Sequence, residues 1–241
     1  MLKPKYNFLG GELLLVDKPL TWTSFDVVNK LRYSVKRATG VKKPKVGHAG
    51  TLDPLATGLL LICTGKFTKR QNEYQGLDKE YTGTFCLGAS TPSVDLETEI
   101  DQRYSLEGLK EAQLLEAAQA LTGTIQQIPP GYSAMHVDGE RSYLKVRRGE
   151  EVILKAREVE VPVFEIETSK FPEIAFRIVC SKGTYIRSLV RDFGASLNNG
   201  AYLSALRRTR IGEYRVENAD TVPDLTAHFE ALLVDASEKG L

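Results

Sequence analysis

One carboxylate stands out for where it sits. In the stretch Val46-Gly-His-Ala-Gly-Thr-Leu-Asp-Pro-Leu-Ala-Thr-Gly58, Asp53 lies in a loop punctuated by Gly47, Gly50 and Gly58. Glycine permits turns and close backbone approach that a Cβ resists. Pro54 disfavours helical geometry at the residue before it, so Asp53 is expected on an extended or turn segment. A basic run without any acid lies directly upstream. A lone Asp beside positive charge points to an acid that works on nucleic acid. The plainer reading is a turn residue, because Asp before Pro is common in turns.

Three more side chains could share that chemistry. Arg187 ends Cys180-Ser-Lys-Gly-Thr-Tyr-Ile-Arg187, read as a strand, a glycine turn and a helix start. A buried Arg is costly without a partner, and a carboxylate is the natural one. Pairing with Asp53 would hold the acid ionised and aimed; a surface arginine on a phosphate is the alternative. Tyr81 sits in an alternating segment, where a tyrosine either packs or stacks on an extruded base and moves a proton. His48 could act as a base, but His136 and His228 have no ligand spacing to it, so no zinc site is expected. Walker and Gly-x-Gly-x-x-Gly loops do not occur in the sequence, and no nucleotide cofactor is indicated.

The elements that must position these residues alternate irregularly between strand and helix. Gly11 to Val16 reads as a short buried strand. Thr23 or Ser24 can cap a helix to about Val35, with Phe25, Val28, Leu31 and Val35 as its apolar stripe. Leu59 to Cys63 reads as a core strand and Glu80 to Leu87 as an alternating one. Ala89 to Gln102 looks like a flexible loop. A helix from Ser105 or Glu107 to Leu121 is stopped by Gly123. Glu158 to Thr168 and Ile174 to Cys180 read as strands, Tyr185 to Leu197 as a helix, and Ala201 to Arg207 as a short helix. The absence of a regular βαβ rhythm favours α+β over a doubly wound parallel sheet.

Composition bounds the class. A chain of 241 residues with 42% hydrophobic and 26% charged residues is an ordinary globular protein. It has no apolar run near the ~20 residues that span a bilayer, and its first residues lack a signal-peptide core. Cys63, Cys86 and Cys180 share no metal-type spacing and read as reduced, buried thiols, so a cytoplasmic location is expected. The net charge of +1 conceals segregation. Lys30, Arg32, Lys36, Arg37, Lys42, Lys43 and Lys45 form one run without acids. Arg177, Lys182, Arg187, Arg191, Arg207, Arg208 and Arg210 form another against Asp192 alone. Acids concentrate between Asp95 and Glu116 and near the end of the chain. One basic face, as polyanion binding requires, is expected; two solvated faces that never meet are the alternative.

Five blocks resemble, in order, those of the TruB family of tRNA pseudouridine synthases. Gly11-Glu-Leu-Leu-Leu-Val-Asp-Lys-Pro19 with Thr23-Ser24 is similar to the N-terminal motif, and Gly47 to Gly58 to the catalytic one. Lys79-Glu-Tyr81 resembles the block of the active-site tyrosine. Gln127-Ile-Pro-Pro-Gly-Tyr-Ser-Ala134 with Tyr143, Arg147 and Gly149 resembles the middle block. Ser181-Lys-Gly-Thr-Tyr-Ile-Arg187 followed by Leu206-Arg-Arg208 resembles the C-terminal one. The resemblance runs from about Gly11 to Arg215.

That resemblance implies the pseudouridine synthase catalytic fold, a mixed, mostly antiparallel central sheet flanked by helices and loops. It implies isomerisation of uridine 55 in the T-loop of tRNA, after the base is extruded. Asp53 would be the catalytic acid residue, Tyr81 would stack on the flipped uracil, and Arg187 would pair with Asp53. His48 would enter the T-loop, and Lys18, Tyr185 and Leu206 would line the pocket. The reaction needs no cofactor and no metal. The partner is tRNA through its T-loop and stem, with no membrane, no obligate protein partner and a monomeric state. The expectation is one catalytic domain over residues 1–241, with about 212–241 as a short tail too small for the family's usual C-terminal PUA-type domain. Two places depart from the common pattern: the middle block continues Ser133-Ala-Met-His136 rather than Ser-Ala-Leu-Lys, and Val146 replaces an alanine. A guide-RNA-dependent synthase and a tRNA-folding chaperone are the alternative functions.

Overall fold

The apolar run that follows the Asp53 loop is buried on both its faces, and the fold of its surroundings follows from that. The computed structural model describes residues 8, 10–133, 135–137 and 139–229. Ala134 of the middle block and the acidic end beyond Phe229 lie outside them. In chain order the strands are β1 (Leu13–Lys18), β2 (Val46–Ala49), β3 (Ala56–Thr64), β4 (Lys79–Leu87), β5 (Ala89–Ser90), β6 (Gln102–Arg103), β7 (Gly123–Gln127), β8 (His136–Val137), β9 (Glu140–Arg141), β10 (Arg157–Val161), β11 (Val163–Glu167), β12 (Glu173–Cys180), β13 (Ala201–Ile211), β14 (Tyr214–Arg215) and β15 (Asp220–Thr221). The helices are α1 (Ser24–Thr39), α2 (Gln71–Gly76), α3 (Glu111–Ala120), α4 (Ser142–Arg147) and α5 (Ile186–Ser196). The class is α+β, with mostly antiparallel pairing, as expected. The chain divides into two compact units, Met1–Lys79 with Arg207–Leu241, and Glu80–Leu206.

In the first unit β3 pairs antiparallel with β1 and β2, and β15 adds to β1 in parallel. Leu60 and Ile62 face one core, with Val27, Val28, Leu31 and Val35 of α1 and Val222, Leu225 and Phe229. Leu59, Leu61 and Cys63 face another, with Tyr74, Ile211 and Val216. The residues after Ile211 therefore contribute to this interior. Helix α1 starts at a capping box: the Thr23 hydroxyl accepts from the Asp26 N–H, and the Asp26 carboxylate accepts from the Thr23 N–H. It ends at Gly40, whose φ of 70° closes the last turn. The helix thus runs four residues past the expected Val35. Its stripe is also rotated: Val27 is in the core, whereas Phe25 is 59% exposed.

In the second unit β12 pairs antiparallel with β11, and β7 pairs antiparallel with β10. Phe85 of β4, Phe176 of β12 and Phe193 of α5 form an aromatic cluster, with Phe85 and Phe193 rings 5.0 Å apart. Three expectations are corrected. Residues 201–207 belong to β13, an 11-residue strand, not a short helix. Gly83 allows that strand close: a Cβ there would lie 2.2 Å from the Ala205 carbonyl oxygen. Residues 158–168 are two strands with different partners, divided at Pro162. Ala89 to Gln102 is tied by a β5–β6 hairpin and buries Thr91, Ser93 and Asp95.

Candidate active site

Asp53, half-buried, lies on the loop between β2 and β3. The backbone of this loop is held from three sides by buried polar side chains. The Ser24 hydroxyl, at the start of α1, accepts from the Leu52 N–H at 2.8 Å and donates to the Leu52 carbonyl at 3.1 Å. Lys18, at the end of β1, donates to the carbonyls of Pro19 (2.8 Å), Trp22 (2.6 Å) and Pro54 (3.2 Å). The Pro54 carbonyl also accepts from the Thr21 N–H at 2.9 Å. Arg208 reaches in from β13, donating to the carbonyls of Leu59 (2.7 Å), Thr51 (3.2 Å) and Gly50 (3.2 Å). A Cβ on Gly58 would lie 2.3 Å from the Arg208 carbonyl oxygen, so glycine is required for this close approach.

Both cations are removed from water: Lys18 is 0% and Arg208 1% exposed. Burial, which disfavours the ammonium, is the largest influence on Lys18 and takes its pKa down to about 8. The charge of Asp53 opposes that fall, and the charge of Arg208 reinforces it. Buried donors aimed at carbonyl dipoles fix the loop backbone. Lys18, expected to line a pocket, directs its ammonium at the backbone carbonyls of Pro19, Trp22 and Pro54. His48 lies on β2, half-buried, opposite Ile62. Its Nδ1 is buried. Burial lowers the His48 pKa and the Arg208 charge lowers it further, against a smaller opposing effect of the Gly50 backbone, so the ring is neutral near pH 7.

The second unit carries Tyr81, Tyr185, Arg187 and Leu206. Tyr81 lies on β4 and is 8% exposed; Leu206 is half-buried on β13. Arg187, in the first turn of α5, is 4% exposed. Its guanidinium donates to the carbonyls of Ser93 (3.1 Å) and Tyr132 (2.8 Å), and its Nε lies 3.7 Å from the Asp95 carboxylate. The Asp95 turn is internally braced: its carboxylate accepts from the Glu97 N–H, and its carbonyl accepts from the Thr91 and Ser93 hydroxyls. Between Ser93 and Asp95, Val94 has a φ of 61°, a left-handed conformation that costs a β-branched residue roughly 1–3 kcal/mol. The Leu203 N–H holds the Val94 carbonyl at 3.0 Å. Tyr185 caps α5. Its backbone N–H donates to the Gln127 side-chain oxygen at 2.8 Å, and its carbonyl accepts from the Gln127 amide at 3.1 Å. The Arg157 guanidinium lies 4.8 Å from the Tyr185 ring centroid.

Asp95 and Arg208 were missed as site residues. Asp95 lies in an acidic polar stretch with no apolar period to mark it as buried. Arg208 was counted as surface charge, and nothing in its local sequence says otherwise. Of the two departures, Val146 places a methyl where Gly131 has no Cβ, at 3.2 Å from the position a Cβ would take. His136 is exposed in the β8–β9 hairpin, opposite Arg141. Among the described residues no cluster of His, Cys, Asp and Glu could hold a metal ion, and no helix is long and apolar enough to cross a membrane.

Comparison with known proteins agrees with this frame. The model of the TruB family pseudouridylate synthase N-terminal domain matches residues 36–186. A Flavobacterium johnsoniae protein named tRNA pseudouridine synthase B is 54% identical over 227 residues, covering 94% of this chain and 98% of its own. A Parabacteroides distasonis protein of the same name is 49% identical, covering 97% of this chain and 99% of its own. Among solved structures, the crystal structure of a Cbf5–Nop10–Gar1 complex matches with a TM-score of 0.67 and 26% identity, over 97% of this chain but 57% of that one. The chain belongs to the TruB family of pseudouridylate synthases.

Proposed function

We propose that the protein isomerises uridine 55 in the T-loop of tRNA to pseudouridine, with Asp53 as the catalytic acid residue. The observation that carries this reading is near full-length identity of 49–54% to two proteins named tRNA pseudouridine synthase B. In this reaction the bond from the sugar to N1 breaks and a bond from the sugar to C5 forms. C5 loses a proton and N1 gains one, so atoms and electrons balance without a cofactor. The fixed loop presents Asp53 at the sugar, where it attacks carbon or removes a proton. Tyr81 stacks on the extruded uracil, replacing stacking worth about 1–3 kcal/mol per base. Arg187 neutralises and orients Asp53, His48 holds the T-loop open as a neutral ring, and Tyr185 and Leu206 contact the base. Lys18 acts from behind, on the loop. The enzyme works as a cytoplasmic monomer.

The test is Asp53→Asn, assayed for pseudouridine in an unmodified tRNA transcript. Loss of product with binding retained is expected; retained turnover would refute the assignment. The likeness to the Cbf5–Nop10–Gar1 structure favours a second reading, dependence on guide RNA and protein partners. Turnover of naked transcript by the purified chain alone excludes it. A tRNA-folding role is separable, because acceleration of tRNA refolding by the Asp53→Asn protein would show it independently of chemistry.

A further inference from the structure

The two basic runs have opposite fates in the fold. Apart from Lys182, which is exposed, the second is turned inward or paired within its unit. Arg208 is buried on carbonyls, Arg187 is buried beside Asp95, and Arg207 pairs with Asp17 at 2.7 Å. Arg177 is held by Glu80 and Glu165, Arg191 by Asp192, and Arg210 donates to the Gly212 carbonyl. In the first run Lys30, Lys36, Arg37, Lys42, Lys43 and Lys45 are all exposed. The expectation of a single basic face thus reduces to residues 25–45.

Helical geometry gathers these side chains. At about 100° per residue, Arg32, Phe25, Lys36, Asn29, Tyr33, Arg37 and Lys30 fall on one arc of α1, opposite its apolar stripe. The one acid on that arc, Asp26, is engaged in the capping box. Two large rings stand in solvent there, Phe25 at 59% and Tyr33 at 58% exposure. Each lies beside an arginine: Arg32 is 5.9 Å from the Phe25 centroid, and Arg37 is 5.9 Å from the Tyr33 centroid. Cations alternating with exposed rings match the phosphates and sugars that alternate along the backbone of an RNA stem.

This face is physically continuous with the catalytic loop. Ser24, beside Phe25, holds both backbone groups of Leu52, the neighbour of Asp53. Arg32 donates to the Val46 carbonyl at 2.9 Å, where β2 leads to His48. The 16 residues of α1 span about 24 Å, far longer than one nucleotide.

We propose that the outer face of α1, continued by Lys42 and Lys43, is a docking track for the phosphodiester backbone of a helical stem of the substrate RNA. It would act outside the pocket that receives the reacting uridine. The proposal rests on the pseudouridine synthase reading for its substrate, but its readout is binding.

The variant Lys30→Glu, Lys36→Glu, Lys42→Glu, Lys43→Glu changes exposed side chains only. Its affinity for fluorescently labelled, unmodified tRNA transcript is to be measured by anisotropy across a potassium chloride series. Each lost phosphate contact removes roughly 0.7–0.9 from the slope of log affinity on log salt. The expected result is at least a tenfold weaker Kd and a slope lower by about three, with kcat at saturating tRNA within about twofold of wild type. An unchanged Kd and slope overturns the track. So does an equal loss when the same four residues become Arg, because charge would then not be the cause. If the Glu set does not fold, the corresponding Gln set reads the same slope. Absence of pseudouridine with the wild-type protein would refute the functional reading instead, and leaves the binding comparison intact.

Discussion

The Asp53 loop in the first unit and the segment around Arg147 in the second are fastened by opposite means. Around Asp53, three buried side chains, Lys18, Ser24 and Arg208, bind the backbone itself. Around Arg147, exposed side chains bind one another: Arg147 pairs with Glu97 and lies 5.5 Å from the Tyr143 ring, and Arg148 pairs with Glu140 and Glu150. Buried anchors on the backbone hold their carbonyls where water does not compete for the hydrogen bonds. Exposed ion pairs contribute about 0–1 kcal/mol each and are screened by salt. The acid belongs to the part that cannot shift, and the arginine-rich segment to the part whose partners water and RNA can replace.

The comparison breaks most readily at Arg208. Arg208→Lys keeps the charge but cannot reach the Leu59, Thr51 and Gly50 carbonyls together. Misplacement of a reacting group by about 1 Å costs on the order of 10²-fold in rate. Single-turnover kinetics should therefore show a fall in kcat of that order with KM for tRNA unchanged, and urea unfolding should show a loss of about 2–4 kcal/mol. Wild-type kcat in this variant would mean the loop does not need its anchor. Asp95→Asn comes next. It neutralises the carboxylate 3.7 Å from the buried Arg187 Nε, and a loss of up to about 3 kcal/mol, the lower end for breaking a buried pair, is expected because the Ser93 and Tyr132 carbonyls remain. Restoration by Asp95→Glu would show that charge rather than shape holds the pair.

How far the sequence could be read follows the same division. The Asp53 loop was legible because glycines and a proline restrict the backbone wherever they occur. The β4 alternation and the double-sided burial of β3 were legible from apolar periodicity. Illegible were positions where polarity is buried. Ser24 and Ser34 occupy inward positions of α1. Counting apolar residues therefore rotated the stripe onto Phe25 and overlooked Val27. The β13 segment has residues that suit a helix, but tertiary pairing overrides propensity. The Asp95 turn depends on hydroxyls two to four residues away, and no hydropathy pattern encodes them.

Lys18 sharpens the comparison through pH. Its pKa of about 8 lies below the usual 10.5. The folded protein therefore binds fewer protons than the unfolded chain between those values. Stability should rise with pH across that window, the cost of the buried charge being fully present below pH 8. Activity should move the other way. A neutral amine has two N–H donors for three carbonyls, so the anchor at Pro54 loosens and kcat falls above about pH 8. Lys18→Met should have a lower kcat without this alkaline fall. An identical alkaline limb in both proteins would show that another group titrates.

The smallest effect is expected at the exposed pair. Arg147 and Glu97 are 57% and 31% exposed at their side chains. A double-mutant cycle with Arg147→Gln and Glu97→Gln should give a coupling below about 1 kcal/mol in thermal unfolding. That coupling should vanish by about 0.5 M salt, where the Debye length falls below roughly 5 Å. The two single variants should still differ toward RNA. Glu97→Gln removes a competitor for the guanidinium and should tighten tRNA binding slightly, whereas Arg147→Gln should weaken it. A coupling above about 2 kcal/mol, insensitive to salt, would place Arg147 among the fixed elements and erase the contrast with the Asp53 loop.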